Sequence, residues 1–377
     1  MKQHWTLDPA ITYLNHGFAG ATPRVVLEKQ SEYRERMERE PVRFLTRELE
    51  PLLDEARGLL ASFLGADPAG LAFVPNATAG VNAVLRSLDL DKFDELLVTT
   101  HEYNACRNAL DYVAGLAGAK VVVVEIPFPI EGPEVVVERV LAAVTDRTRL
   151  FLIDHVTSQT ALVMPVERLV RELAARGVDT LIDGAHAPGL LPLDLQALGA
   201  AYYAGNLHKW VCAPKGAAFL YVRENRRRSV HPLSISHGAN SPRTDRSRFL
   251  LEFDWTGTFD PTPWLSVPVA LAFMEDWPDV MRRNRALALA ARDLLCASLS
   301  VPAPAPDEML GAMAAVPLRD GPAESLQDAL LFEHQIEVPV IPWPAAPKRL
   351  VRISAQLYNE LADYEKLAEA LRRYRGV

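Results

Sequence analysis

The sequence predicts an α/β fold with a large domain, built on a mainly parallel seven-stranded sheet, and a smaller α+β domain at the C-terminal end. Two observations support this prediction. Between residues 71 and 222, short apolar runs alternate with amphipathic segments, as expected for a parallel sheet covered by helices on both faces. After a proline-rich stretch near 261–268, long helical patterns come first and short strands follow. A length of 377 residues fits two such domains at about 150 residues each.

Seven apolar runs are predicted as the strands of the large sheet, because each is short and continuously apolar. They are Leu71–Pro75, Glu95–Thr100, Lys120–Ile126, Arg149–His155, Asp179–Asp183, Ala200–Ala204 and Gly216–Val222. Segments with helical spacing separate most of them. In Val135–Val144 and Val166–Arg176 the apolar residues recur every three or four positions, which predicts one buried stripe along each helix.

The two ends of the chain follow other patterns. Arg24–Glu40 and Glu48–Phe63 are predicted as helices that precede the sheet. The C-terminal part is predicted to contain helices at 267–300 and 324–334, strands at Met313–Leu318 and Leu350–Ser354, and a last helix at Glu360–Arg373. We therefore divide the chain into an N-terminal segment packing on both domains (1–60), a large domain (61–265) and a small domain (266–377).

Composition excludes several functional classes. The net charge of −8 disfavours a general binder of nucleic acid or of membrane surfaces, both of which require a basic field. The three cysteines are sparse, form no CxxC pair and have no metal-ligand spacing, so we predict no metal site and a reducing compartment. We also find no run of about 20 apolar residues that could span a bilayer. A cytoplasmic protein is expected.

Polar and titratable residues directly follow five of the predicted strands. In chain order these groups are Asn76–Gly80, His101–Asn104, Asp154–Ser158, Asp183–His186 and Gly205–Trp210. Ligands of open α/β sheets bind at the carboxyl ends of the strands. The five groups therefore predict a single binding site at one edge of the sheet.

The group Asn-Ala-Thr-Ala-Gly at 76–80 stands between a strand and a helix. Small residues there let the backbone approach an anion, the helix start offers free N–H groups, and Thr78 adds a hydroxyl. These features predict a phosphate site, with a simple N-cap of the helix as the alternative. Neither GxGxxG nor GxxxxGK[ST] is present, so no dinucleotide or Walker-type loop is predicted.

Asp183 and Lys209 complete the chemistry. A carboxylate at the end of an apolar strand is costly unless it meets a cation or donors, and a protonated ring nitrogen of a cofactor is one such partner. A lysine held in a cleft has a lowered pKa, which suits a Schiff-base nucleophile. A phosphate site, an acidic partner and a lysine are the requirements of pyridoxal 5′-phosphate (PLP), whose ring acts as an electron sink.

Together the motifs resemble the class V aminotransferase superfamily of fold-type I PLP enzymes, and most of all its isopenicillin N epimerase-like branch. The resemblance covers nearly the whole chain. It is carried by Tyr-Leu-Asn-His-Gly at 13–17, Asn-Ala-Thr at 76–78, His-Val-Thr-Ser at 155–158, Asp-Gly-Ala-His-Ala-Pro-Gly at 183–189, His-Lys-Trp at 208–210 and Arg-Ile-Ser at 352–354.

The resemblance implies a role for each matching residue. Lys209 matches the Schiff-base lysine that forms the aldimine, Asp183 the partner of the pyridine nitrogen, and His186 the residue that contacts the cofactor's phenolic oxygen. Tyr103 matches the aromatic side chain that stacks on the ring, with His101 as the alternative. The remaining implied cofactor-binding residues are Ala77, Thr78, Asn206 and His208 at the phosphate, Ser158 near the cofactor oxygen, and Thr258, which reaches the neighbouring subunit's phosphate.

On the substrate side, the resemblance implies that Arg352 binds the α-carboxylate of an amino acid, for which the guanidinium fork is suited. Asn15 and His16 are expected to line the same pocket. Because Thr258 acts across a subunit boundary in this comparison, a homodimer with shared active sites is expected.

One departure from the family is informative. Cysteine desulfurases carry a nucleophilic cysteine on a loop shortly before the carboxylate-binding arginine. Here 338–344 contains no cysteine, and Cys106, Cys212 and Cys296 are expected to be structural. A persulfide-forming desulfurase is therefore not predicted.

The motifs leave the reaction open. Return of a proton to the opposite face of Cα gives epimerisation or racemisation, return to the cofactor gives transamination, and expulsion of a β-substituent gives C–S lyase chemistry. An epimerase or racemase is the first hypothesis, and a C–S lyase or aminotransferase is the second. The same residues serve all three reactions, so the substrate side chain is also left open.

Overall fold

The computed structural model describes residues 1–274 and 276–374. Its strands, numbered in chain order, are β1 Thr12–Tyr13, β2 Leu71–Val74, β3 Glu95–Thr99, β4 Lys120–Val124, β5 Thr148–Asp154, β6 Asp179–Asp183, β7 Tyr202–Asn206, β8 Ala218–Val222, β9 Met313–Leu318, β10 Ile336–Glu337, β11 Val340–Pro342 and β12 Arg349–Ser354. The seven predicted strands of the large sheet and the two predicted C-terminal strands are all among them.

The helices connect these strands and cover them. They are α1 Arg24–Arg39, α2 Pro41–Arg43, α3 Leu49–Leu64, α4 Ala77–Arg86, α5 Asn104–Ala117, α6 Pro133–Ala142, α7 Val166–Ala174, α8 Leu195–Leu198, α9 Arg248–Phe253, α10 Thr262–Leu265, α11 Val267–Phe273, α12 Trp277–Leu299, α13 Ala323–Phe332 and α14 Leu361–Arg373. Shorter helical turns of the 3-10 type lie at Lys2–His4, Pro68–Gly70, Glu224–Ser229, His237–Asn240 and Asp307–Met309, with a π-turn at Phe44–Glu48.

Strands β2 to β8 form one sheet in the order β2-β8-β7-β6-β5-β3-β4. The pairs from β7 to β4 are parallel, whereas β8 runs antiparallel to both β7 and β2. The prediction of a mainly parallel seven-stranded sheet is therefore confirmed. The carboxyl ends of β2, β3, β5, β6 and β7 lie at the same edge, which is where the polar groups were predicted to meet.

Alternation along the strands divides the core into two layers. In β6, Ile182 packs in the layer that contains α3, α6 and α7, whereas Leu181 packs in the layer that contains α4, α5 and α9. The same alternation holds for Ile153 and Leu152 in β5. Because side chains two positions apart share a face, Asp154 and Asp183 project from the sheet on the side of α4 and α5.

The C-terminal part builds its own core. Strands β11, β12 and β9 form an antiparallel sheet that packs with α12, α13 and α14 around apolar residues such as Val351 and Tyr364. This confirms the smaller α+β domain.

The N-terminal segment contacts both parts of the molecule. Strand β1 pairs in parallel with β10 of the small domain, while Leu53 and Leu60 of α3 join the core of the large sheet. The loop between β1 and α1 lies beside Lys209, because Nε2 of His16 is 3.0 Å from the Lys209 carbonyl oxygen. The chain between β1 and α1 therefore passes directly beside the edge of the large sheet that carries Lys209. Within the described residues, no helix combines the length and apolar character needed to cross a membrane.

Candidate active site

Lys209 and His186 are in direct contact at the edge of the large sheet. The amine Nζ of Lys209 lies 3.0 Å from His186 Nε2. Burial, followed by the charge of Arg352, lowers the pKa of Lys209 to about 8. An amine with that pKa is partly neutral near physiological pH, which is the state needed for nucleophilic and base chemistry.

His186 is a neutral ring with one free nitrogen. Its side chain is 2% exposed, and burial, then the charges of Lys209 and Arg352, hold its pKa well below the usual range. Nδ1 has no hydrogen-bond partner among the residues that the structure describes. A buried ring nitrogen without a partner fits a contact to a ligand oxygen.

Asp183 ends β6 as a buried carboxylate without a counter-ion. Oδ1 accepts a hydrogen bond from the Ala185 amide at 2.9 Å, and Oδ2 accepts one from the Cys106 thiol at 3.0 Å. No salt bridge within 1–274 and 276–374 includes Asp183. A protonated ring nitrogen of a ligand is the kind of cation that this position lacks.

The start of α4 has the N-cap that the sequence offered as the alternative to a phosphate site. Asn76 caps the helix, since its Oδ1 accepts from the Ala79 amide at 2.8 Å. Oδ1 of Asn206 accepts from the Ala77 amide at 2.8 Å, so that amide is already satisfied. We therefore revise the predicted role of Ala77: it joins α4 to the end of β7, and half-buried Thr78 is left as the residue of this turn that can face an anion.

His208 is fixed by the strand that follows it. Its Nδ1 lies 2.9 Å from the carbonyl oxygen of Ala217 and donates to it. Burial and the neighbouring Lys209 lower the pKa of His208 to about 4. With Nδ1 donating, Nε2 can donate to a phosphate only when the ring is protonated, which a bound anion would favour.

Of the two aromatic candidates for stacking, only Tyr103 is accessible. The side chain of His101 is fully buried, with Nδ1 2.7 Å from the Thr160 hydroxyl and Nε2 3.0 Å from the Ile126 carbonyl oxygen. Tyr103 is 40% exposed and immediately precedes α5. The geometry therefore favours Tyr103 over the alternative His101.

Arg352 presents a buried guanidinium to the same region. It is 3% exposed, donates to the Ser158 carbonyl oxygen and to Asn15 Oδ1 (3.3 Å), and keeps Nε without a partner in the described part of the chain. No salt bridge there includes it, and burial lowers its pKa to about 10. A buried guanidinium without a carboxylate is suited to receive one from a ligand.

Two of the predicted substrate and cofactor residues take other positions. His16 is fully buried and both its nitrogens are used, Nδ1 by the Tyr358 hydroxyl at 2.7 Å and Nε2 by the Lys209 carbonyl oxygen. We therefore replace its predicted substrate contact with a role in positioning Lys209. Asn15 does lie at Arg352. Thr258 is exposed and has no hydrogen bond to the other predicted site residues within the described chain.

Sequence reasoning gave no individual role to three side chains next to Asp183, although two of them, Glu102 and Asp154, stand in the predicted polar groups at the strand ends. Cys106 was expected to be structural, yet its thiol contacts the Asp183 carboxylate. Glu102 and Asp154 are 6% and 3% exposed and lie beside it. The signal for Asp154 was present, since it follows an apolar strand in the same way as Asp183. The position of Cys106 depends on how α5 packs, which no local pattern reveals.

Comparison with known proteins places this geometry in a family. The model of the aminotransferase class-V family matches residues 12–367. Two isopenicillin N epimerases are similar over almost the entire chain. The Amycolatopsis lactamdurans enzyme is 39% identical over 98% of this chain and 97% of its own, and the Streptomyces clavuligerus enzyme is 36% identical over 97% and 95%. A probable chloroplastic L-cysteine desulfhydrase of Arabidopsis thaliana is 28% identical over 97% and 83%.

Solved structures share the fold. The cysteine desulfurase CsdA of Escherichia coli aligns with a TM-score of 0.81 at 21% identity, covering 99% of this chain and 96% of its own. The protein C-DES, in a form with glycine covalently linked to its PLP cofactor, aligns with a TM-score of 0.84 at 21% identity, covering 99% of both chains.

The fold and the family match together define a fold-type I PLP enzyme. More particularly, the chain belongs to the aminotransferase class-V family, and its resemblance to the isopenicillin N epimerase branch is confirmed. The predictions of an enzyme and of PLP as its cofactor are confirmed with it.

Proposed function

We propose that this protein is a PLP-dependent epimerase or racemase that acts at Cα of an amino acid or amino-acid derivative. The observation that carries the proposal is the meeting of Lys209, His186 and Asp183 with Arg352, a buried guanidinium that no carboxylate of the described residues occupies. The similarity to two isopenicillin N epimerases over 97–98% of the chain supports epimerisation over the other reactions of the family.

The residues of the site fit the cofactor. Asp183 would face the ring nitrogen, His186 Nδ1 a ring oxygen, Tyr103 the ring face, and Thr78 with His208 the phosphate. When bound, PLP supplies an aldehyde that condenses with an amine and a protonated ring that withdraws electrons from Cα. All of these partners stand at or shortly after the carboxyl ends of β2, β3, β6 or β7, which is where ligands bind in this class of sheet.

Lys209 is the base of the proposed reaction. Its amine, neutral in a useful fraction because its pKa lies at about 8, removes the Cα proton. The contact between Nζ and His186 Nε2 holds the amine in place at 3.0 Å. His186 stays neutral because burial opposes its protonation, so it does not compete with Lys209 for the Cα proton.

Arg352 orients the substrate. Its guanidinium would pair with the α-carboxylate, and Asn15 and Ser158 hold the guanidinium from behind. Once the α-carboxylate is fixed, the substrate has little freedom left except rotation at Cα. The site can therefore direct the Cα–H bond at Lys209. Epimerisation also requires an acid on the other face of Cα, and Tyr103 is the accessible candidate by position.

A C–S lyase is the second candidate function. The 28% identity with a probable L-cysteine desulfhydrase over 97% of the chain favours it over transamination. The absence of a cysteine at 338–344 argues against a persulfide mechanism. Lyase chemistry would use the same base, Lys209, with a leaving group on Cβ in place of a returning proton.

The test is a panel of L-amino acids and N-terminally free peptides incubated with the holoenzyme in D2O. Deuterium at Cα together with the D-isomer supports the proposal. Keto-acid accumulation identifies an aminotransferase, and pyruvate with sulfide or a thiol identifies a lyase; either result without D-isomer overturns epimerisation. Lys209→Ala is the control, and it should abolish exchange with every substrate.

We further propose a cytoplasmic homodimer with shared active sites. The sparse cysteines, all three free and buried, support a reducing compartment. The exposure of Thr258, together with its lack of a hydrogen bond to the other predicted site residues of the described chain, supports a role in the neighbouring subunit. The domain division at residues 60 and 265 is likewise a proposal, supported by the separate cores of the two sheets.

A further inference from the structure

Four buried side chains, three carboxylic acids and one thiol, cluster around the Asp183 end of the candidate active site. They are Glu102, Cys106, Asp154 and Asp183, with exposed fractions of 6, 0, 3 and 2%. Carboxylate or thiol atoms of the first, second and fourth lie within 4.8 Å of one another. Asp154 pairs with Asp183 across β5 and β6, so both side chains project from the same face.

This group has no counter-ion. Within 1–274 and 276–374, no salt bridge includes any of its three carboxylates. Both carboxylate oxygens of Glu102 and Oδ2 of Asp154 are buried without a hydrogen-bond partner in that same part of the chain. Three adjacent ionised carboxylates in a dry interior would repel one another and lose hydration that nothing replaces.

Only one of the three is built to carry charge. Asp183 receives two hydrogen bonds, from the Ala185 amide and the Cys106 thiol, and donors stabilise the ionised form. Glu102 has none. We propose that Glu102 and Asp154 are neutral acids and that, with the Cys106 thiol, they act as positioning residues that confine the negative charge to Asp183. This proposal deepens the proposed function, since Asp183 is the group assigned to the cofactor's ring nitrogen.

The electrostatic surroundings agree with this assignment. Burial, then Asp154 and Asp183, raise the pKa of Glu102 well above its usual range, and burial, then Asp183, do the same for Asp154. Burial, then the charge of Asp183, also raise the pKa of the Cys106 thiol, which keeps it a donor. Among the described residues, Lys209, which follows β7, faces these side chains from the site. Tyr203 on β7 feels the charge of Asp183 but packs in the opposite layer, with its hydroxyl at His155.

Infrared difference spectroscopy of the apo-protein at pH 7.5 tests the proposal without cofactor or activity. The wild type should show a carbonyl stretch of protonated carboxylic acid that shifts in D2O. Glu102→Gln and Asp154→Asn should each remove roughly half of it. Glu95→Gln is the matched control, because Glu95 is equally buried but paired with Lys120 and Arg147, and its variant should keep the full band.

Absence of the acid band in the wild type, or its persistence in both variants, overturns the proposal. A bound metal ion found by elemental analysis, with only carboxylate bands, overturns it as well. Because these spectra need no PLP, failure of the proposed function, seen as loss of cofactor binding, is distinguishable from failure of this inference.

A second readout follows Asp183 itself. In the holoenzyme, Cys106→Ala should shift the pH titration of the bound cofactor's absorbance, because Asp183 loses a donor, and Cys106→Ser should restore it. A merely structural thiol would leave that titration unchanged in both variants. An unshifted titration in Cys106→Ala removes the thiol from the proposal.

Discussion

Lys209 shows how a single position in the fold changes a side chain's chemistry. Burial and Arg352 lower its pKa to about 8, whereas the attractive charge of Asp183 opposes that shift. The balance leaves roughly a fifth of the amine neutral at pH 7.4, compared with about a thousandth for an exposed lysine. The site therefore supplies a nucleophile at neutral pH without a separate base.

We predict that cofactor uptake by the apo-protein depends on this amine. The rate of PLP association should rise with pH and level off above about 8, because only the neutral amine attacks an aldehyde. Stopped-flow absorbance from pH 6 to 9.5 measures it. Lys209→Ala should show no pH-dependent band, and Lys366→Ala, an exposed lysine on α14, should match the wild type; a flat profile for the wild type would contradict the prediction.

A second prediction concerns Arg352. Arg352→Lys keeps the charge but loses the two parallel donors, so kcat/KM should fall by about 10- to 100-fold, and Arg352→Ala should lower it further. Steady-state kinetics on the substrate found in the amino-acid panel measures both. The exposed Arg372→Ala is the control. If Arg352→Lys were as active as the wild type, the carboxylate would have to bind elsewhere.

At the scale of elements, the site depends on where strands end and helices begin. The carboxyl end of β7 and the start of α4 are joined by the bond from the Ala77 amide to Asn206 Oδ1 at 2.8 Å. Helix α4 is ten residues long, and its first turn carries a partial positive charge although the Ala77 and Ala79 amides are already hydrogen-bonded. Asn206 thus fixes the distance between the proposed phosphate site and the strand that leads to Lys209.

We predict different outcomes for two substitutions at this joint. Asn206→Ala removes the acceptor and should weaken PLP binding by about tenfold. Asn206→Asp keeps an acceptor but adds negative charge, so it should weaken binding further at low salt and recover partly at high salt. Equilibrium titration with PLP at two ionic strengths measures both effects. If Asn206→Asp bound PLP with wild-type affinity, the cofactor's phosphate would not lie at this end of α4.

The elements were predictable from sequence to a greater extent than the contacts between them. The observed strand Tyr202–Asn206, for example, is displaced by only two residues from the predicted Ala200–Ala204, because apolar runs between helices are local signals. The roles of His16 and Cys106 were not predictable, because each depends on a partner 193 or 77 positions away in the chain. Only the packing of the folded chain decides which groups form hydrogen bonds to a histidine nitrogen or to a carboxylate oxygen.

At the scale of the whole molecule, the large sheet carries Lys209, Asp183 and His186, while β12 of the small domain carries Arg352. Arg352 connects the two parts, because it donates to the Ser158 carbonyl oxygen of the large domain. Asn15 of the N-terminal segment holds the small-domain side, since its Oδ1 accepts from Arg352 and its Nδ2 donates to Glu337 at 2.9 Å. A shift of the small domain relative to the large one would therefore move Arg352 relative to Lys209. The position of the small domain therefore determines both how the substrate carboxylate is held and how its Cα is placed against Lys209.

The proposed dimer gives a whole-molecule prediction. If Thr258 serves the neighbouring subunit, Lys209→Ala and Thr258→Arg should both be inactive alone. A statistical mixture of the two should regain up to about a quarter of the wild-type activity, because about half of its dimers are mixed and one of the two sites in each mixed dimer combines an intact Lys209 with an intact Thr258. Refolding the two variants together and assaying the mixture measures this. No recovery, with dimers present by ultracentrifugation, would contradict shared sites.

The pairing of β1 with β10 has a consequence for biosynthesis. Asn15 and Gly17 reach their partners Arg352 and Ser354 across 337 residues, so the loop after β1 can settle only once β12 has been synthesised. The large sheet can form while translation continues, yet the pocket beside Lys209 is complete only after β12 has folded. A premature stop before β12 would thus give a folded sheet with its lysine and no means of holding a substrate.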